Sequence, residues 1–204
     1  MLISRDDLHN KYYAALRLDP LSVAAIAAAV YFFDLRTLAA LVCAACVHEL
    51  GHIVCLRLFG LRLAGFRAET QGLCIEYTGS AGSAAHAIAA AGGPAAGLAL
   101  AYAASWAGAE LLSGVSLLLT VFNLLPILPL DGGRIMHILL TALLGEARGG
   151  RAARACSIAG AYSLLAAGAY LALSGRGAAV VSMALWLVFT PENSIGIEKR
   201  RKIM

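Results

Sequence analysis

Apolar residues in this chain do not alternate with polar ones; they run on in blocks. Six can be drawn: Leu21–Phe33, Thr37–Phe59, Ala84–Trp106, Leu111–Leu130, Ala155–Leu173 and Gly177–Thr190. A membrane-spanning helix needs about 20 consecutive apolar residues, and the four inner blocks meet that length. The outer two are short, and they span only by borrowing flanking residues or by sitting in thinned bilayer. The segment Leu61–Gly79 has a different rhythm. Leu61-Arg62-Leu63, Phe66-Arg67 and Leu73-Cys74-Ile75-Glu76-Tyr77 approximate a period of two, broken by Gly65 and Gly72, which predicts a small β-hairpin. The expected fold is an all-α polytopic membrane protein of six transmembrane helices, with a cytoplasmic β-hairpin between helices 2 and 3.

Composition agrees with that pattern. The 204 residues are 60% hydrophobic and 14% charged, with mean hydropathy +0.78, whereas a soluble domain carries about 25% charged residues. Charge placement then orients the spans. Six crossings put the N-terminus, Gly60–Ser83, Gly145–Arg154 and Pro191–Met204 on one side, with twelve of the sixteen Lys and Arg. The opposite side has only Arg36 and Arg176. By the positive-inside rule both termini are cytoplasmic, and losing either short span would break the asymmetry. The net charge of +4 is mostly this bias and gives no reason to invoke nucleic acid. The basic tail Lys199–Lys202 reads as a topological anchor. Met1–Pro20 mixes Arg5, Lys11 and Arg17 with Asp6, Asp7 and Asp19, which is not a secretory signal pattern.

Chemistry enters in the second block, as His48-Glu49-Leu50-Gly51-His52. Two His at i and i+4 lie about 40° apart on a helix, so both imidazoles can serve one Zn²⁺. Glu49, roughly 100° from His48, suits a general base for metal-activated water. Such groups are costly in an apolar helix, by several kcal/mol, unless function or pairing repays them. A zinc site needs at least a third protein ligand and an open position. The run Asn123-Leu124-Leu125-Pro126-Ile127-Leu128-Pro129-Leu130-Asp131-Gly132-Gly133-Arg134 offers Asp131. Its two prolines break the helix and free the backbone to aim the carboxylate, while Gly132-Gly133 permit close approach of another helix. Alternatively Asp131 N-caps the helix 132–144, a role that does not exclude ligation. The Asn123 amide can contact a substrate carbonyl or make an interhelical hydrogen bond.

Other candidates weigh less. His86 reads as interfacial, and His137, six residues past Asp131, faces away on a continuing helix. Five Cys, at 43, 46, 55, 74 and 156, form no disulfide framework. Cys43 and Cys46 make a CxxC, but small buried hydrophobes are the simpler account. Ala91-Gly92-Gly93-Pro94-Ala95-Ala96-Gly97 is packing that makes room for a site.

HELGH in one span, GGPAAG in the next and N-x-x-P-x-x-P-L-D-G-G beyond it resemble the site-2 protease family of intramembrane zinc metalloproteases. The resemblance covers about Thr37 to Leu144. It implies one Zn²⁺ per chain on His48, His52 and Asp131, Glu49 as the residue that activates water, and Asn123 at the substrate. The layout is similar to the stage IV sporulation protein FB branch, which cleaves pro-sigma factors. The chain is read as a single transmembrane protease domain, 1–204, with its catalytic core at about 37–144 and no PDZ or CBS domain. Its expected place is the cell membrane. Its expected partners are the lipid bilayer, a membrane-associated or single-span protein substrate, and regulatory membrane proteins. The alternative is a non-catalytic scaffold or transporter with a structural metal site, in which Glu49 would be dispensable.

Overall fold

Asp34 starts the first described helix. Its Oδ1 accepts a hydrogen bond from the Thr37 amide at 3.3 Å, satisfying one of the donors a helix N-terminus leaves open. That contact with Thr37 holds the exposed carboxyl below the usual carboxylate range. From there α1 runs over Leu35–Leu58. The computed structural model describes residues 33–60, 62–69, 72–78, 82–173 and residue 187. The expected first and last spans, but for Phe33 and Leu187, lie outside the described residues, as do the N-terminal segment and the basic tail.

After α1, β1 (Arg62–Glu69) and β2 (Gly72–Thr78) pair antiparallel. Arg62 stands opposite Thr78 and Glu69 opposite Gly72, with a register shift between Leu63 and Gly65. Four helices follow: α2 (Ser83–Trp106), α3 (Glu110–Asn123), α4 (Asp131–Leu144) and α5 (Glu146–Leu173). The described chain is mostly helical, and α1, α2 and α5 are each long and apolar enough to cross a membrane.

The fourth apolar block, drawn as one span whose prolines break the helix, does break there: α3 stops at Asn123 after 14 residues, and residues 124–130 are irregular. Pro126 and Pro129 remove amide donors, and their rings clash with helical carbonyls. The expected loop Gly145–Arg154 is almost wholly helix. Only Gly145, at φ +79°, separates α4 from α5, because Ala and Arg favour helix and Gly149 lies against the Leu140 carbonyl and the Thr141 backbone.

The interior inverts the usual soluble arrangement. Buried positions of α2 are Ala89, Gly92, Gly93, Pro94, Gly97, Ala101 and Ala104, while Leu35, Val42, Leu58, Tyr102 and Trp106 are exposed. Large apolar groups outward and small ones inward is the arrangement a lipid solvent favours, where close backbone approach drives helix association. α2 is central and touches α1, α3 and α4. Its contact with α1 is backbone on backbone. A Cβ on Gly51 would strike the Gly92 carbonyl and Ala96, and one on Gly92 would lie 2.6 Å from the Gly51 oxygen and 2.7 Å from Cys55 Sγ. Gly92→Ala is therefore expected to destabilise the fold by about 1–3 kcal/mol, read as a lower midpoint of thermal unfolding in detergent.

Candidate metal centre

His48 is the fourteenth of the 24 residues of α1, far from either end. It continues the buried stripe Ala40–Ala44–His48, whose four-residue spacing keeps one helix face toward α2. His52, one turn on, is part-buried beside it. A Cβ on Gly93 would collide with the His52 ring, so the ring occupies space that only glycine leaves. The two imidazoles meet edge to face, with centroids 4.9 Å apart and planes at 79°.

Asp131 reaches the same point from α4. The 124–130 segment that delivers it is wedged in place: Ile127, 2% exposed, and Leu130 cluster with Ala161 and Leu187, and the Leu128 amide donates to Ser157 Oγ at 2.7 Å. The Leu128–Pro129 peptide is cis. Gly132 and Gly133 abut the backbones of Leu124–Leu125 and Ile127–Leu128. Their missing side chains thus admit the segment that precedes their own helix, not another helix as the sequence suggested. Nor does Asp131 cap α4. Leu130 holds the N-cap position without a side-chain hydrogen bond, and the carboxylate turns to the histidines.

Three ligand atoms converge. Asp131 Oδ2 is 2.9 Å from His48 Nε2 and 3.2 Å from His52 Nε2, and the two Nε2 atoms are 3.2 Å apart. A four-ligand zinc shell with bonds of about 2.0–2.2 Å has edges of about 3.3–3.6 Å, so these atoms stand slightly closer than a filled shell would hold them. Hydrogen bonding of His52 favours a cation among them. Its Nδ1 lies 2.8 Å from the Ala89 carbonyl, so Nδ1 carries the proton, and the neutral ring then turns a lone pair on Nε2 toward a carboxylate oxygen. The Gly93 amide, 3.3 Å from the same Nδ1, cannot also donate to a protonated nitrogen; the shorter contact decides the tautomer. A lone pair and an anion facing each other at 3.2 Å need a shared positive charge, which a metal ion or a proton on His48 Nε2 supplies. Two imidazoles and one carboxylate are a donor set that suits zinc and leaves room for a further ligand.

Glu49 is half-buried beside this group, within electrostatic reach of His52, His48, Asp131 and Arg134. Asn123 ends α3, and its Nδ2 donates to the Leu119 carbonyl of its own helix at 3.0 Å, so that hydrogen bond is intrahelical rather than interhelical. Cys43 and Cys46 are exposed, not the small buried hydrophobes expected, because they lie off the stripe Ala40–Ala44–His48 that α1 buries. His137 Nε2 lies 3.8 Å from where a Gly150 Cβ would be. Among the described residues, His48, His52 and Asp131 are the group of metal-ligating side chains that comes together. The sequence reading missed the Ala89 carbonyl, which no side-chain pattern could mark. It also missed Ser116 and Thr120, fully buried on α3, whose signal was a helical spacing of hydroxyls within an apolar block.

The family model described as Peptidase family M50 matches residues 107–167, a stretch that takes in Asn123 and Asp131 but not the histidine pair. No curated protein matches the chain. Among solved structures, the Site-2 Protease from Methanocaldococcus jannaschii superposes with a TM-score of 0.65 at 19% identity, covering 87% of this chain and 88% of that one. The chain thus shares the fold of a site-2 protease over most of its length.

Proposed function

We propose that this chain is an intramembrane zinc metalloprotease of the site-2 protease family. The observation that carries the reading is the convergence of His48 and His52 from α1 with Asp131 from α4, within 3.2 Å of one another. The M50 match, from a family whose proteases are zinc-dependent, and the shared fold support it.

In this reading His48, His52 and Asp131 hold one Zn²⁺. When bound, zinc would supply Lewis acidity, polarising a carbonyl and making water a nucleophile at neutral pH. Glu49 accepts a proton from the attacking water on its carboxylate and returns it to the leaving amine. Asn123 keeps one amide N–H and its Oδ1 beyond the bond to Leu119, and these contact the substrate backbone. Buried small-residue surfaces around the histidines keep bulk water from the ligands. The scissile segment must be extended, because an intact helix commits its carbonyls to internal bonds. A membrane-associated pro-segment or a single span broken by helix-disfavouring residues fits that need. The finer reading, a pro-sigma factor in sporulation with both termini of a six-span protease cytoplasmic, rests on sequence layout and charge asymmetry.

The test uses purified protein in liposomes with a single-span test protein whose hydrophobic segment carries a Gly-Pro break. Cleavage is expected within that segment, abolished by a zinc chelator and restored by added zinc. A scaffold or transporter with a structural metal would bind zinc and cut nothing.

A further inference from the structure

Two side-chain polar atoms among the described residues are buried without a hydrogen-bond partner: His48 Nδ1 and the Thr120 hydroxyl oxygen. Their residues are 4% and 0% exposed. Both atoms border the bare Cα of Gly97. A Cβ there would collide with Thr120 Oγ1 and lie 3.7 Å from His48 Nδ1. Thr120 is also the last rung of a ladder. Ser113 Oγ donates to the Ala101 carbonyl at 2.8 Å, and Ser116 Oγ donates to the Gly97 carbonyl at 2.9 Å. The spacing i, i+3, i+7 sets all three hydroxyls on one stripe of α3 facing α2. At the third rung that stripe reaches Gly97, the residue that also borders His48 Nδ1.

We propose that Thr120 is a positioning residue for the metal centre: its hydroxyl oxygen accepts the His48 Nδ1–H, directly or across one water. This inference rests on the metal-centre reading above. The pairing keeps the proton on Nδ1, so Nε2 offers its lone pair beside Asp131. The Ala89 carbonyl does the same for His52 at 2.8 Å, and Thr120 completes the set from the opposite helix. Outer hydrogen bonds of this kind fix the tautomer and ring orientation of a ligating histidine, and their loss costs about 10–100-fold in metal affinity. Gly97 is bare because a methyl group would push the hydroxyl away.

The test is zinc affinity of the full chain in detergent, by competition with a chromophoric chelator. Thr120→Val removes the hydroxyl at nearly constant shape and is expected to raise the zinc Kd about 10–100-fold. Thr120→Ser restores the hydroxyl and is expected to bind within about threefold of the unsubstituted protein, since the outer hydrogen bond is kept. Equal weakening by Val and Ser would assign the loss to packing and overturn the proposal. His48→Ala, measured alongside, separates the two layers. If it binds zinc undiminished, the metal-centre reading fails. If it loses zinc while Thr120→Val binds normally, only the Thr120 assignment fails. Should Thr120→Val not fold, ¹⁵N NMR of the unsubstituted, zinc-loaded protein decides. A slowly exchanging proton on His48 Nδ1 is expected, and a bare or freely exchanging Nδ1 overturns the proposal.

Discussion

Glu49→Gln is expected to lower cleavage of the single-span test protein by about 10²–10⁴-fold, the usual contribution of a general base, with zinc still bound at one per chain. Gln keeps the size and a carbonyl oxygen but cannot take a proton. Glu49 shares a helix with both histidines yet is not among the three converging atoms, so its loss leaves the ligand set whole. Activity assays and metal analysis on the same preparation separate chemistry from binding. Unchanged processing would remove Glu49 from the mechanism and restore the scaffold reading. Loss of zinc along with activity would make Glu49 a ligand instead of a base.

The second large effect concerns the ligands. His48→Ala, His52→Ala and Asp131→Asn are each expected to weaken zinc binding by more than about 100-fold, beyond the range that outer-shell losses reach. Asp131→Asn is the most informative, because it keeps shape and removes the negative charge. A neutral amide oxygen in place of the anion holds a cation far less strongly. If Asp131→Asn retained zinc as tightly as the unsubstituted protein, the third ligand would have to be sought elsewhere.

The helices were legible in the sequence because lipid solvent writes long apolar blocks, and α1 and α2 depart from their expected bounds by only a residue or two. The break within the block 111–130 was legible too, because its prolines end α3 at Asn123 and leave the segment that carries Asp131 into position. At 145–154 the charges suggest a loop, although helix-forming Ala and Arg and a tight glycine contact make it the first turns of α5. The histidine pair was readable because i, i+4 spacing is a local property of one helix. Asp131 was readable as a candidate third ligand from its place after two prolines, but the packing by Ile127, Leu130 and Ser157 that turns it from its own helix N-terminus toward α1 is encoded in no local pattern. The supporting atoms around the histidines, the Ala89 carbonyl and the Gly93 and Gly97 clearances, belong to helix-on-helix geometry and become visible only when α1, α2 and α3 are placed together.

In the proposed reading, one zinc joins the two halves of the motif through two imidazoles and a carboxylate. X-ray absorption at the zinc edge on the loaded protein in detergent tests it most directly. Nitrogen and oxygen neighbours are expected at about 2.0–2.2 Å, with the outer scattering of two imidazole rings. A sulfur shell at about 2.3 Å, implicating the CxxC of Cys43 and Cys46, or a spectrum without imidazole scattering, would contradict it.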